Sequence, residues 1–254
     1  MGMAGKLEAV RTYRGRLAAA SWVGFDLDDT LHEFRSASST ASKTVFVTIS
    51  GRHGIPTTQL QDQYTVILRE LTSHAFSDGR TSHDYRRERF VALLEAFSVP
   101  VESEFIQDLL ALYESSLKAS LRLKTGAANL LQKLISLGKK IVVVTEGPQD
   151  AQEWTIANLS IAPYIDYLVT TNKFGATKTT GLFSLVLKHL NIDSNEIVFI
   201  GDNLKRDIEP ATEEGILCIY LAENEGSWTG DGPFWVKELA EIETLLETRG
   251  RVER

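Results

Sequence analysis

Five short apolar runs, each closing on a polar or glycine-bearing loop, constrain the fold most: residues 22–25, 141–144, 167–169, 197–200 and 216–220. Such runs, rich in branched and aromatic residues without polar alternation, read as strands buried on both faces, as in parallel sheets. Amphipathic stretches separate them. In 128–137 the residues Leu130, Leu131, Leu134, Ile135 and Leu137 keep helical spacing, and Gly138 supplies a stop. Residues 150–159 and 182–190 repeat the pattern, and 236–246 read as a last amphipathic helix before a frayed terminus. The alternation predicts an α/β fold with a Rossmann-like, doubly wound parallel sheet.

One segment breaks the rhythm. From 33 to 121 there is no strand–helix alternation, only helix-like stretches such as 59–71, 85–97 and 104–121. This predicts an α-helical insert, with 1–32 and 122–254 forming the core. Because it follows the first strand directly, the insert should sit over the carboxyl edge of the sheet, where open α/β folds bind ligands.

The chemistry-bearing residues fall at those strand ends. Phe25-Asp26-Leu27-Asp28-Asp29-Thr30 closes the first strand, Thr145 the second, Lys178 follows the third in Gly175-Ala176-Thr177-Lys178, and Gly201-Asp202-Asn203-Leu204-Lys205-Arg206-Asp207 closes the fourth. Parallel strands bring these ends to one edge. Carboxylates as close as Asp26 and Asp28 repel unless a cation or shared proton offsets the cost. Alone, an Asp-x-Asp after a strand is more often a polar turn; the ordered set is more specific.

That set, D-x-D-x-T, a strand-terminal Thr, a downstream Lys and G-D-x-x-x-x-D, resembles the haloacid dehalogenase-like hydrolase superfamily over about Val23 to Leu221. The resemblance implies a phosphatase-type enzyme with a helical cap inserted after the first core strand. It implies that Asp26 attacks phosphorus to give an aspartyl-phosphate, and that Asp28 serves as acid and then base. Lys178 and Thr145 would hold phosphate oxygens, and Mg2+ would be bound by Asp26, the Asp28 backbone carbonyl and Asp202, with Asp207 direct or through water. Asp28 argues against dehalogenation, which needs no second acid. A phosphomutase or phosphotransferase would use the same residues, and a catalytically silent binding protein on this fold is the alternative of another class.

Two positions depart from the pattern. Glu146 places a carboxylate beside the phosphate site, which would repel substrate unless it turns away or meets a cation. Thr179 stands where relatives often carry proline. Lys173 rivals Lys178 for the lysine role, but its spacing from Gly175 is wrong. In the insert, Arg80, His83, Arg86 and Arg87 form a basic cluster, and Arg87 is a candidate for a second anionic group of the substrate. Interspersed Asp84 and Glu88 make a solvated, ion-paired face the plainer account. Trp154 and Trp228 would pack a leaving group or simply the core.

Composition bounds the partners. A net charge of -7 argues against a nucleic-acid polymer, whose phosphates need clustered Lys and Arg. The expected partner is a small phosphorylated metabolite: a nucleotide, sugar phosphate or isoprenoid diphosphate. The one cysteine, Cys218, excludes an intrachain disulfide and reads as a buried thiol. Despite Arg11, Arg14 and Arg16, the first residues lack the apolar stretch of a leader, and no membrane span is evident, so a cytoplasmic location is expected. The oligomeric state is left open.

Overall fold

The computed structural model describes residues 3–71, 76, 78–223 and 232–247. Its sheet has six strands in the order β3-β2-β1-β4-β5-β6, all paired parallel. They are β1 (Trp22–Phe25), β2 (Lys140–Thr145), β3 (Tyr167–Thr170), β4 (Ile197–Gly201), β5 (Leu217–Leu221) and β6 (Trp235–Val236). The five runs thus form strands within a residue or so of their expected bounds. The short β6 was not anticipated, and it takes Val236 out of the final helix, α11 (Leu239–Leu246).

Both faces of the sheet are covered, which is why the strands carry no polar alternation. Val23, Phe25, Ile141, Val143, Val198 and Ile200 pack on one side against α1 (Met3–Ala19), α6 (Ala127–Ser136) and α11. Trp22, Val142, Val144, Ile197 and Phe199 turn to the other side, against α9 (Leu182–Leu190). Cys218 is buried there, and burial pushes its thiol pKa up to about 12. The basic first segment is the helix α1, whose last turn buries Leu17, with Tyr13 stacked on Phe234 at 4.2 Å.

Between β1 and α6 the chain forms α2 (Phe34–His53), α3 (Thr57–Leu71), α4 (Ser82–Ala96) and α5 (Ser103–Ser120) around an apolar cluster of their own. Sequence periodicity marked the last three. It passed over α2, whose buried stripe of Ala37, Ala41, Val45 and Ile49 lies among Ser and Thr and opens with two alanines. The shorter helices α7 (Gln149–Asn158), α8 (Thr171–Phe174) and α10 (Glu209–Glu213) follow β2, β3 and β4. Among the described residues no helix is long and apolar enough to cross a membrane. Trp228 lies outside the described residues, and Trp154 packs partly buried against the apolar cluster of α2–α5.

Candidate active site

The strand order reverses at β1, flanked by β2 on one side and β4 on the other, so the crevice of this sheet opens at the end of β1. Asp26 stands there: its backbone N–H donates to the Ile200 carbonyl at 2.9 Å, and the residue is 6% exposed. Three residues on, Asp29 adopts a φ of 62°, in the left-handed region that Asp tolerates better than bulkier side chains. Its N–H donates to the His32 carbonyl at 2.9 Å, and its Oδ1 accepts the Arg35 N–H at 3.0 Å. The turn brings His32 Nε2 to 2.8 Å from Asp28 Oδ1, while Gln152 Nε2 lies 3.5 Å from Asp28 Oδ2.

Lys178 opens a 3-10 turn, Lys178–Thr180, and is buried. Its ammonium donates to Asp26 Oδ1, and to Asp207 Oδ1 at 2.5 Å. Asp207 comes from the π-helical turn Leu204–Ile208, and its Oδ2 accepts the Asn203 N–H at 2.9 Å. Lys173, its rival, is directed elsewhere, over the Tyr167 ring at 5.7 Å. Burial alone would lower the Lys178 pKa, but the Asp207 and Asp26 carboxylates outweigh it and hold the ammonium above the ordinary lysine range. For Asp26, burial pushes the carboxyl well up; Lys178 opposes this, and Asp207 and Asp28 reinforce it. Asp202 is likewise raised, first by burial and then by Asp207, against the pull of Arg35.

Gly201 lets Asp207 approach. A Cβ at 201 would fall 2.5 Å from Asp207 Cβ, closer than real side chains come. Gly201→Ala is therefore expected to cost about 1–3 kcal/mol through overpacking and to break the Lys178–Asp207 contact. Denaturant unfolding reads the first, and a loss below about 0.5 kcal/mol would mean the loop yields freely.

Thr145, the last residue of β2, is buried with its Oγ1 unpartnered, and it lines the same cavity as Asp26. Glu146 Oε1 accepts the Lys178 backbone N–H at 3.1 Å, and its Oε2 lies 3.5 Å from Arg206 Nη1. That carboxylate is thus occupied by two loops, which resolves the repulsion its position suggested. Arg35 reaches from α2 to the acidic floor, with Nε 3.0 Å from Asp29 Oδ2 and Nη2 2.9 Å from Asp202 Oδ2.

The residues Asp26, Asp202 and Asp207 each offer a carboxylate oxygen, all within 4.8 Å of one another. An all-oxygen donor set of this charge suits a hard divalent cation such as Mg2+. The orphaned Thr145 hydroxyl beside it suits a ligand that brings acceptor oxygens.

These groups floor a cavity of about 330 Å³ whose other wall is formed by α2–α5. The structure thus brings Asp26, Asp28, Thr145, Lys178, Asp202 and Asp207 together. It does not bring Arg87. That side chain is exposed and borders a separate hollow with Arg80 and Glu88, which pair at 2.9 Å; Arg86 and Arg89 face the cavity instead. One helical step rotates a side chain by about 100°, enough to move the candidate to the other face. Sequence reasoning also passed over His32, Gln152 and Arg35. Only the four-residue spacing of Asp28 and His32 hinted at one of them.

The profile of the haloacid dehalogenase-like hydrolases matches residues 23–221. Among curated proteins, the glyceraldehyde 3-phosphate phosphatase of Pyrococcus abyssi is 26% identical over 198 residues, 78% of this chain and 79% of that protein. Among solved structures, the magnesium-bound HAD-hydrolase YfnB of Bacillus subtilis superposes with a TM-score of 0.69 at 21% identity, covering 89% of this chain and 98% of that one. The 2-haloacid dehalogenase of Pseudomonas syringae superposes at 0.65 and 21%, covering 89% and 98%. Fold likeness extends to structures named for different reactions, that dehalogenase and an HAD phosphatase of Thermococcus onnurineus, at a TM-score of 0.64 and 21% identity, covering 89% of this chain and 97% of that one.

Proposed function

This chain belongs to the haloacid dehalogenase-like hydrolase family, and on that premise we propose that it is a Mg2+-dependent phosphatase of small phosphomonoesters, acting through an aspartyl-phosphate on Asp26. One observation carries the reading: a buried ammonium, Lys178, bridges Asp26 and Asp207 at the floor of a cavity where Asp28 stands free of that bridge as a second acid beside Asp26. A dehalogenase-type reaction has no use for that second acid. The names of relatives such as the Pyrococcus abyssi phosphatase point the same way.

In this account Asp26 attacks phosphorus in line as the ester P–O bond breaks, and Asp28 gives its proton to the departing oxygen. Asp28 then takes a proton from the water that attacks the aspartyl-phosphate, which releases inorganic phosphate and frees Asp26. Lys178 favours the anionic form of Asp26 against the pull of burial and faces a phosphoryl oxygen, and the Thr145 hydroxyl donates to another. His32 fixes the Asp28 carboxyl, and Glu146 fixes the loop that carries Lys178. Asp26, Asp202, Asp207 and the Asp28 carbonyl would hold Mg2+, which when bound neutralises phosphoryl charge and favours the ionised form of Asp26. Residues 33–121 are taken as the cap that closes over a core of 1–32 and 122–254, and a small phosphorylated metabolite as the substrate.

Phosphate release from nucleotides, sugar phosphates and isoprenoid diphosphates, with Mg2+ and with chelator, tests this reading. Chelator-sensitive release is expected, and release indifferent to Mg2+ or absent throughout would sink it. Asp28→Asn sharpens the test. It should slow alkyl phosphates by roughly 100-fold or more, yet p-nitrophenyl phosphate far less in the first step, since an activated phenolate needs little protonation. Single-turnover kinetics separates that step from hydrolysis. Equal loss on both substrates would remove Asp28 from the acid role.

A further inference from the structure

The two walls of the cavity differ in charge. All its carboxylates, including Asp26, Asp28, Glu146 and Asp202, belong to the floor at the strand ends. The opposite wall, from α2–α5, contributes none. It contributes Arg86 and Arg89, three residues apart and so on one face of α4, beside Tyr64, Phe76 and Tyr113. Among the described residues neither arginine has a carboxylate partner, whereas Arg35 and Arg80, nearby, both do. Aromatic rings orient both: Arg86 lies over Tyr113 at 5.1 Å and Arg89 over Phe76 at 5.8 Å. The Nε and Nη2 of Arg89 are buried without a hydrogen-bond partner. Those nitrogens are closed off from solvent and the Tyr64 hydroxyl shares a hydrogen bond with the Arg89 side chain, so the guanidinium meets the cavity through its remaining face.

A guanidinium held beside aromatic rings with no carboxylate to neutralise it is costly, and an anion that pairs with it recovers part of that cost on binding. The acidic floor explains neither arginine, because a phosphoryl group attacked by Asp26 already meets Lys178 and Thr145. We propose that Arg86 and Arg89 form a recognition site for a second anionic group, a carboxylate or a second phosphate, carried on the leaving-group side of the substrate. The proposal rests on the phosphatase reading and narrows it: the preferred phosphomonoesters have a charged, not a neutral, leaving group.

Matched substrates test it on the full-length protein. Phenyl phosphate, carboxyphenyl phosphate and phenylene bisphosphate share one body and differ in the second anion, and the last two tell a carboxylate site from a phosphate site. For wild type, kcat/KM on at least one charged substrate should exceed that on phenyl phosphate by at least about tenfold, chiefly through KM. Arg86→Gln and Arg89→Gln should each collapse that ratio toward unity. Two variants guard against one misfolding, and the wild-type ratio stands without either. Calorimetric binding of the three compounds to Asp26→Asn gives the same ranking without turnover. Release from phenyl phosphate with no preference for either charged compound would overturn this proposal and leave the phosphatase reading intact. A preference that survives both substitutions would show that the arginines are only packed against their rings. No Mg2+-dependent release and no binding of any of the three would sink the reading beneath it.

Discussion

Asp26→Asn is expected to reduce kcat on every phosphomonoester by on the order of 10⁴-fold or more, the scale on which covalent hydrolases suffer when the nucleophile is lost. The amide is nearly isosteric but cannot attack phosphorus. Folding should survive and even gain: burial pushes the Asp26 carboxyl well up, so its ionised form is a strained guest in the folded protein. Removing that charge still leaves Lys178 paired with Asp207. Unfolding in chelator should therefore show a stability equal to or above wild type, while steady-state release falls to background. A variant that is inactive because it is unfolded would say nothing for Asp26 as nucleophile, which is why both measurements are needed.

Lys178→Met should have the largest effect on stability. The lysine is 3% exposed and is the shared counter-charge of Asp26 and Asp207, at 6% and 1%. Without it two buried carboxylates face each other unpaired, and breaking a buried pair costs about 3–5 kcal/mol. The deficit should depend on pH with a definite sign. In the variant, Asp26 loses the ammonium that opposes burial, so its folded pKa lies further above that of the unfolded chain. The folded state then binds more protons, and stability rises as pH falls through the folded value of Asp26 toward the unfolded one near 3.9. Unfolding at pH 5 and pH 8 in chelator checks this. A deficit that grows on acidification, or stays below about 1 kcal/mol, would contradict the bridging role. Activity should fall by roughly 10²–10³-fold, since a charge aimed at the phosphoryl group is lost.

What the sequence revealed was what lies at strand ends. A buried parallel strand announces itself by its apolar run, and its last residue must face the crevice. That is why Asp26, Thr145 and Asp202 were legible at strand ends, whereas Lys178, eight residues past β3, was marked by its spacing from Gly175. What it hid depended on distance or phase. Asp28 and Glu146 find His32 and Arg206 through turns whose geometry is set by a left-handed residue at Asp29 and a π-helical turn at 204–208, neither of which has a periodicity. Gln152 reaches Asp28 across 124 residues. On α4, apolar positions at Phe90, Leu93 and Leu94 fix which face is buried, but the second polar phase that separates Arg86 from Arg87 appears only once the cavity exists. The helix α2 escaped notice because alanine stripes bury little apolar area per residue.

The central claim, a covalent phosphoryl group on Asp26, has one direct test. Asp28→Asn should slow hydrolysis of the intermediate once p-nitrophenyl phosphate has delivered it, so the protein is mixed with that substrate and Mg2+, quenched in acid within milliseconds and digested. The account predicts one added phosphoryl group, labile to hydroxylamine, on the peptide that carries Asp26. A burst of nitrophenol with no phosphorylated peptide, or a phosphoryl group on any other residue, would contradict it.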